Sequence, residues 1–163
     1  MLTWLKLQTW EQIKIMADLT VTLTESVTLQ GEARGSTNTL TVASIGHTME
    51  RIITCPASQT STVLTFNSNV YGSAQALDVE DTKYLRITNL DSSNALELAV
   101  VGAATLYQIN LRAGESHILG SPDDLMLAEA DTSPSFGTMA DIASIQVNPG
   151  GNAIKVEVFV AGA

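Results

Sequence analysis

The chain predicts an all-β fold, an antiparallel β-sandwich or jelly-roll-like arrangement of about eight to ten strands. Three observations carry that expectation. Apolar and polar residues alternate with a period of two along many short segments, the spacing that puts successive side chains on opposite faces of a strand. Threonine and serine fill the outward positions, while charged residues are only 15% of the chain against a usual quarter or so. Glycine, proline and asparagine cluster between the alternating segments, where tight turns need them.

In chain order, Leu19–Leu29 is the cleanest candidate strand. Leu19, Val21, Leu23, Val27 and Leu29 fall on one face, and Thr20, Thr22, Thr24, Ser26 and Thr28 on the other. Its length predicts a bend near Glu25 and Ser26. Gly31–Ser36 reads as a turn. Strands follow at Thr39–Ala43, Met49–Thr54 and Ser61–Phe66, and then a less regular stretch over Asn67–Asp81. The segment Tyr84–Gly120 reads as a meander. Leu85 and Ile87 alternate with Arg86 and Thr88, Leu96, Leu98 and Val100 with Glu97 and Ala99, and Tyr107, Ile109 and Leu111 with Gln108 and Asn110. Asp91–Asn94 and Arg112–Glu115 connect them. Gly120–Gly137 reads as a loop, with one helical turn around Asp123–Ala130 for which Ser121 is the N-cap and Pro122 the first helical residue. Ile142–Val147 and Ile154–Val160 read as a closing hairpin across Asn148-Pro149-Gly150-Gly151-Asn152.

The 163 residues suit one domain with a real core. The division expected is residues 16–163 as that domain and residues 1–15 as an extension or arm. Met1–Ile15 holds both tryptophans, and Met16-Ala17-Asp18 reads like an ordinary start. Three origins fit the segment: an upstream extension from a mis-assigned start codon, an ordered arm docking on a neighbouring subunit, or a targeting segment. Trp4, Leu5 and Trp10 form the interface candidates if it is an arm, since an apolar patch needs a partner surface.

A net charge of −9 repels phosphate backbones, which argues against nucleic acid as a partner. The chain has no apolar run of the roughly 18 residues that a membrane helix needs. A single cysteine, Cys55, excludes an internal disulfide framework and is expected to be a small buried hydrophobe.

Signals for chemistry are sparse. His47 and His117 have no second ligand at zinc spacing. The chain has no G-x-S-x-G elbow, no Walker-type loop and no G-x-G-x-x-G. The expectation is therefore a protein that is not an enzyme and takes no cofactor. Asp78, Glu80 and Asp81 are weak calcium candidates, with Asp123 and Asp124 a second acidic pair. Solvated loop carboxylates, or a helix start at Asp123, explain the same residues without an ion.

Met16–Leu29 (MADLTVTLTESVTL), Tyr84–Asn94 (YLRITNLDSSN) and Asn110–Leu119 (NLRAGESHIL) together resemble small virion structural proteins of tailed bacteriophages, those of marine and cyanobacterial phages in particular. In such proteins a strand ending in an Ile-Thr-Asn turn is followed by one leading into an Ala-Gly-Glu-Ser turn. The resemblance covers about half the chain and rests on strand-and-turn patterns. It implies a capsid decoration or cement protein, or a head–tail component. The implied place is the virion, with the major capsid protein or other virion proteins as partners and a homo-oligomer, a trimer first, as the working form. It carries no catalytic residues. The segment before Met16 departs from the family pattern. The alternative is a carbohydrate-binding β-sandwich on a tail fibre or secreted protein. Exposed rings would then contact the sugar, and Tyr71 and Phe136, in predicted loops, are the ligand-contact candidates. An intracellular bacterial β protein is the blander third option.

Overall fold

The computed structural model describes residues 16–68, 76–102, 106–127 and 136–163. Those residues form thirteen strands and no helix. In chain order the strands are β1 (Ala17–Thr24), β2 (Val27–Leu29), β3 (Glu32–Arg34), β4 (Thr37–Ile45), β5 (His47–Cys55), β6 (Ser61–Asn67), β7 (Leu77–Asp78), β8 (Thr82–Asn89), β9 (Leu96–Gly102), β10 (Leu106–Leu111), β11 (Ser116–Leu119), β12 (Ile142–Asn148) and β13 (Ile154–Gly162).

Two sheets face each other. One has the order β10-β9-β12-β6-β7 and the other β11-β8-β13-β5. Every pairing is antiparallel except that of β6 with β7. The period-two pattern now has its physical meaning. Leu85 and Ile87 of β8, with Val156, Val158 and Val160 of β13, pack against Leu96, Leu98 and Val100 of β9 and Ile145 and Val147 of β12. These side chains are almost wholly sealed from solvent, and each contributes about 1.5–3 kcal/mol through the apolar surface it removes from water. Cys55 sits in this core as expected. Burial is the main reason its thiol pKa is raised, partly offset by the Ser61 side chain.

Five local expectations are corrected. First, Tyr84–Gly120 is not a meander. Only β9 and β10 pair as neighbours in sequence, whereas β8 pairs with β13 and β11. The chain crosses from one sheet to the other after β8 and returns after β10. Second, β12 and β13 do not form a hairpin, since they lie in different sheets and the Asn148–Asn152 turn bridges the two. Gly150 there has φ +68, and its carbonyl accepts the Ser58 N–H at 2.6 Å. Both errors share a cause: alternation reports which face of a strand is buried, and it is blind to which strand lies alongside. Third, the turn placed at Gly31–Ser36 is tighter. It spans Gln30 and Gly31, with φ of 53° and 84°, the pair of positive values a two-residue type I′ hairpin turn requires. Fourth, residues 120–127 contain no helical turn. Ser121 Oγ accepts the Asp123 N–H, as a cap would, but Met126 then bridges Ala140 in extended form. Residues 128–130 lie outside the described residues. Fifth, the strand count exceeds the eight to ten expected, because Leu19–Leu29 is split into β1 and β2, and β3 and the two-residue β7 are too short for a periodic signal.

A polar knot anchors the end of β8. Asn89 is fully buried. Its side-chain amide donates to the carbonyls of Asn94 (2.9 Å) and Leu111 (3.1 Å), and its Oδ1 accepts the Asp91 N–H (3.0 Å). Asp91 in turn accepts the N–H groups of Ser93 and Asn94. Those backbone donors hold its carboxyl below the usual carboxylate range. The Ile-Thr-Asn end of this strand is thus a built corner, fixing where the chain leaves one sheet for the other.

Candidate functional site

The first quarter of the described chain stands apart from the sandwich. β1 pairs with β4 and β2 with β3 in one continuous register, from Leu19 opposite Val42 to Leu29 opposite Glu32. The result is a two-stranded ribbon roughly 35 Å long at about 3.4 Å per residue. The bend expected near Glu25 and Ser26 falls in this run, where β1 ends and β2 begins. Opposite it, Gly35 has φ +124, and a Cβ there would lie 2.0 Å from the Glu25 carbonyl oxygen. Only glycine allows so close an approach.

The ribbon has two chemically distinct faces, because residues directly opposite in an antiparallel pair share a face. One carries Thr20 and Thr41, Thr22 and Thr39, and Thr24 and Thr37 in facing pairs. The Thr24 and Thr37 hydroxyls are 3.3 Å apart. The other is apolar at its base and mixed further out, where Asn38, Arg34 and Glu32 stand opposite Leu23, Val27 and Leu29. At its base Leu19, Val21 and Val42 pack on Ile45, Tyr84, Ala161 and Phe159, on the outer side of the four-stranded sheet. Further out none of the described residues covers it. Leu23 (55% exposed), Val27 (57%), Leu29 (62%) and Leu40 (54%) lie open to solvent. The sequence expectation of a buried apolar face on Leu19–Leu29 therefore holds at the base alone.

The base is firmly built. β4 passes into β5 through Gly46, whose N–H bonds the Gly162 carbonyl at 2.8 Å. Ser44, with φ +63, gives its N–H to Asp18 Oδ1 at 3.3 Å. The β1–β4 register shifts there, between Ala17 and Leu19. Beside the base runs a groove of about 350 Å³, lined by Leu19–Thr22 of β1 and by Tyr84, Arg86, Ile118 and Phe159 of the sheet below. Arg86 is the cation in its floor, and it is neutralised by Glu157 at 2.7 Å. The groove is thus largely apolar, uncharged in net terms, and open along β1, which among the described residues pairs on one side only.

The other predicted residues are placed as follows. Asp78 Oδ1 accepts the Glu80 N–H at 3.0 Å, and the Asp78 carbonyl accepts the Thr82 hydroxyl at 2.7 Å. These bonds describe a turn into β8. Among the described residues the carboxylates that do converge are Asp123, Asp124 and Asp141, all exposed, with ligand oxygens within 4.8 Å of one another. The sequence exposed the first two. Asp141 reaches them only because Met126 bridges Ala140. Local loss of solvent first, then Asp141 and Asp124, raises the pKa of the Asp123 carboxyl. Phe136 is 81% exposed at φ +51, whereas Tyr84 and Phe66 are core and Tyr107 and Phe159 half-buried. Tyr71, Trp4, Leu5 and Trp10 lie outside the described residues. His117 of β11 and Tyr107 of β10 meet at 2.9 Å between the ring nitrogen Nε2 and the hydroxyl. They tie the edge strands of the two sheets together.

Fold and surface define a β-sandwich with a projecting β-ribbon. No family model and no curated protein matches the chain. Among solved structures it is similar to a chain described under "Bacillus endospore appendages form a novel family of disulfide-linked pili". The TM-score is 0.40 at 8% identity, over 71% of this chain and 87% of that one. A likeness at that level says nothing of what this chain does.

Proposed function

We propose that the protein is a non-enzymatic structural component that works through protein–protein contacts, a virion decoration or cement protein in the first place. The observation that carries this reading is the ribbon. A two-stranded ribbon alone is marginal in water, and four large apolar side chains stand exposed along this one. A partner that covers them gains their burial. The sandwich beneath is a support with most of its large apolar residues committed to the core. The polar threonine face keeps the opposite side of the ribbon soluble at low charge.

The test is to raise antibody against residues 16–163 and probe particle fractions from the source culture, with negative-stain microscopy of the labelled material. Regular labelling on phage shells or at the head–tail connection supports the reading. Label restricted to fractions without particles rejects it. The carbohydrate-binding alternative draws support from the exposed Phe136 ring. A glycan array that lights up with the native chain and goes dark with Phe136→Ala would favour it.

A further inference from the structure

We propose that the ribbon's partner is a second copy of this chain, joined by antiparallel pairing of the two β1 edges about a two-fold axis normal to the ribbon. The pairing turns two two-stranded ribbons into one four-stranded sheet, the size at which a sheet with an apolar face becomes stable. Three observations lead to it.

The first is complementarity. The open edge of β1 and the apolar groove lie side by side at the base, while the uncovered stripe of Leu23, Val27 and Leu29 lies further along the same strand and its continuation. A two-fold axis normal to the ribbon reverses the strand direction and keeps like faces on the same side. One copy's stripe is thereby carried over the other copy's groove, where the exposed Ile118 and the half-buried Phe159 await a cover. One rotation satisfies both surfaces.

The second is charge. From Leu19 to Val42 the charged residues are Glu25, Glu32 and Arg34, a net −1 of the chain's −9. Glu32 and Arg34 pair with each other at 3.1 Å. Two copies of an acidic protein repel least where they carry least charge, and the ribbon is that place.

The third is area. The uncovered outer stretch of the ribbon face, Leu23–Leu29, roughly 24 Å by 10 Å, offers only about 240 Å². That falls short of the ~800 Å² per partner of a standard interface. In a reciprocal exchange each copy gives one such stretch and covers one groove, so the buried surface approaches about 480 Å² per copy before the paired edges are counted. A single ribbon lying on an unrelated surface does not reach that size.

The inference rests on the same ribbon as the virion reading, yet the two fail separately: a monomer that still labels phage shells would defeat it and leave that reading intact. The test is light scattering coupled to size exclusion across about 5–200 µM protein, with amide exchange of β1 at both ends of the range. The native chain is expected at twice its 17.3 kDa, with protection of the β1 amides that do not pair with β4 growing as concentration rises. The double variant Leu23→Lys, Leu29→Lys is expected to be monomeric with an unchanged circular dichroism spectrum, since both residues are exposed. Lysine lowers the net negative charge, so extra like-charge repulsion cannot explain the loss. Ile52→Lys, on the outer side of β5 and 64% exposed, is expected to leave the dimer intact. A native monomer throughout the range, a three-chain mass, or a dimer that survives the ribbon variants and dissociates with Ile52→Lys would overturn the proposal.

Discussion

Gly35→Ala is expected to open the distal ribbon while leaving the sandwich folded. At φ +124 an alanine is strained whatever space surrounds it, at a cost of order 1–3 kcal/mol. Space is also lacking. The new Cβ would sit 2.0 Å from the Glu25 oxygen, 2.6 Å from its carbonyl carbon and 3.1 Å from the Ser26 nitrogen. Contacts between such atoms settle near 3.5 Å, so the strands must part by about 1–1.5 Å at this point. The neighbouring bond from Glu25 N–H to the Ser36 carbonyl, now 2.8 Å, then breaks, adding about 1 kcal/mol. The total of roughly 2–4 kcal/mol acts on a tip held by the three pairs of β2 and β3, with no buried side chain in reserve. Amide exchange resolved by residue is the assay. Protection over Val27–Arg34 should vanish, while that of β8, β9, β12 and β13 is unchanged and the melting temperature moves by less than about 2 °C. Retained protection at the tip would show that the strain is absorbed elsewhere. A drop of 8 °C or more would show that ribbon and sandwich unfold as one unit. Either result refutes the reasoning.

Three further outcomes follow from the sandwich. Leu98→Ala, at a fully buried position between the sheets, should destabilise by about 3–4 kcal/mol and shift the urea midpoint without changing its slope. Asn89→Ala removes two donated bonds and one accepted bond from a sealed corner and should cost about 2–4 kcal/mol, against less than ~1 kcal/mol for the exposed Ser92→Ala. His117 has its pKa lowered by burial, so the unfolded chain binds the proton more readily than the folded one. Stability is then complete above the unfolded value near 6.5 and declines as pH falls below it toward the lower folded value. His117→Gln should flatten that part of the profile in melts recorded between pH 7 and pH 4.5.

Class and facing were open to sequence reading because they depend on local periodicity. Leu85, Ile87, Leu96, Leu98 and Val100 are buried where alternation put them, and Cys55 is core as its setting before Pro56 suggested. The break at Glu25 and Ser26 was visible too. Partnership was not. The Leu19–Leu29 stripe has the same pattern as the Tyr84–Asn89 strand, yet one is covered only at its base and the other lies in the core. A strand's own residues specify two faces, and only the rest of the chain decides which of them finds a cover. The same holds for the acidic loop: Asp123 and Asp124 are adjacent in sequence, while Asp141 joins them through the Met126–Ala140 bridge.

By itself, then, the sequence determined an acidic all-β protein with two-faced strands, turns at most of the right places and no catalytic signature. Tertiary structure alone decided that β8 and β9 belong to different sheets, that β12 and β13 arch between them, and that the first long strand leaves the body as a ribbon. The physical reason is range. Period-two patterning and turn chemistry act over a few residues, whereas sheet order is settled by which apolar faces can be covered together, a condition on the whole chain at once.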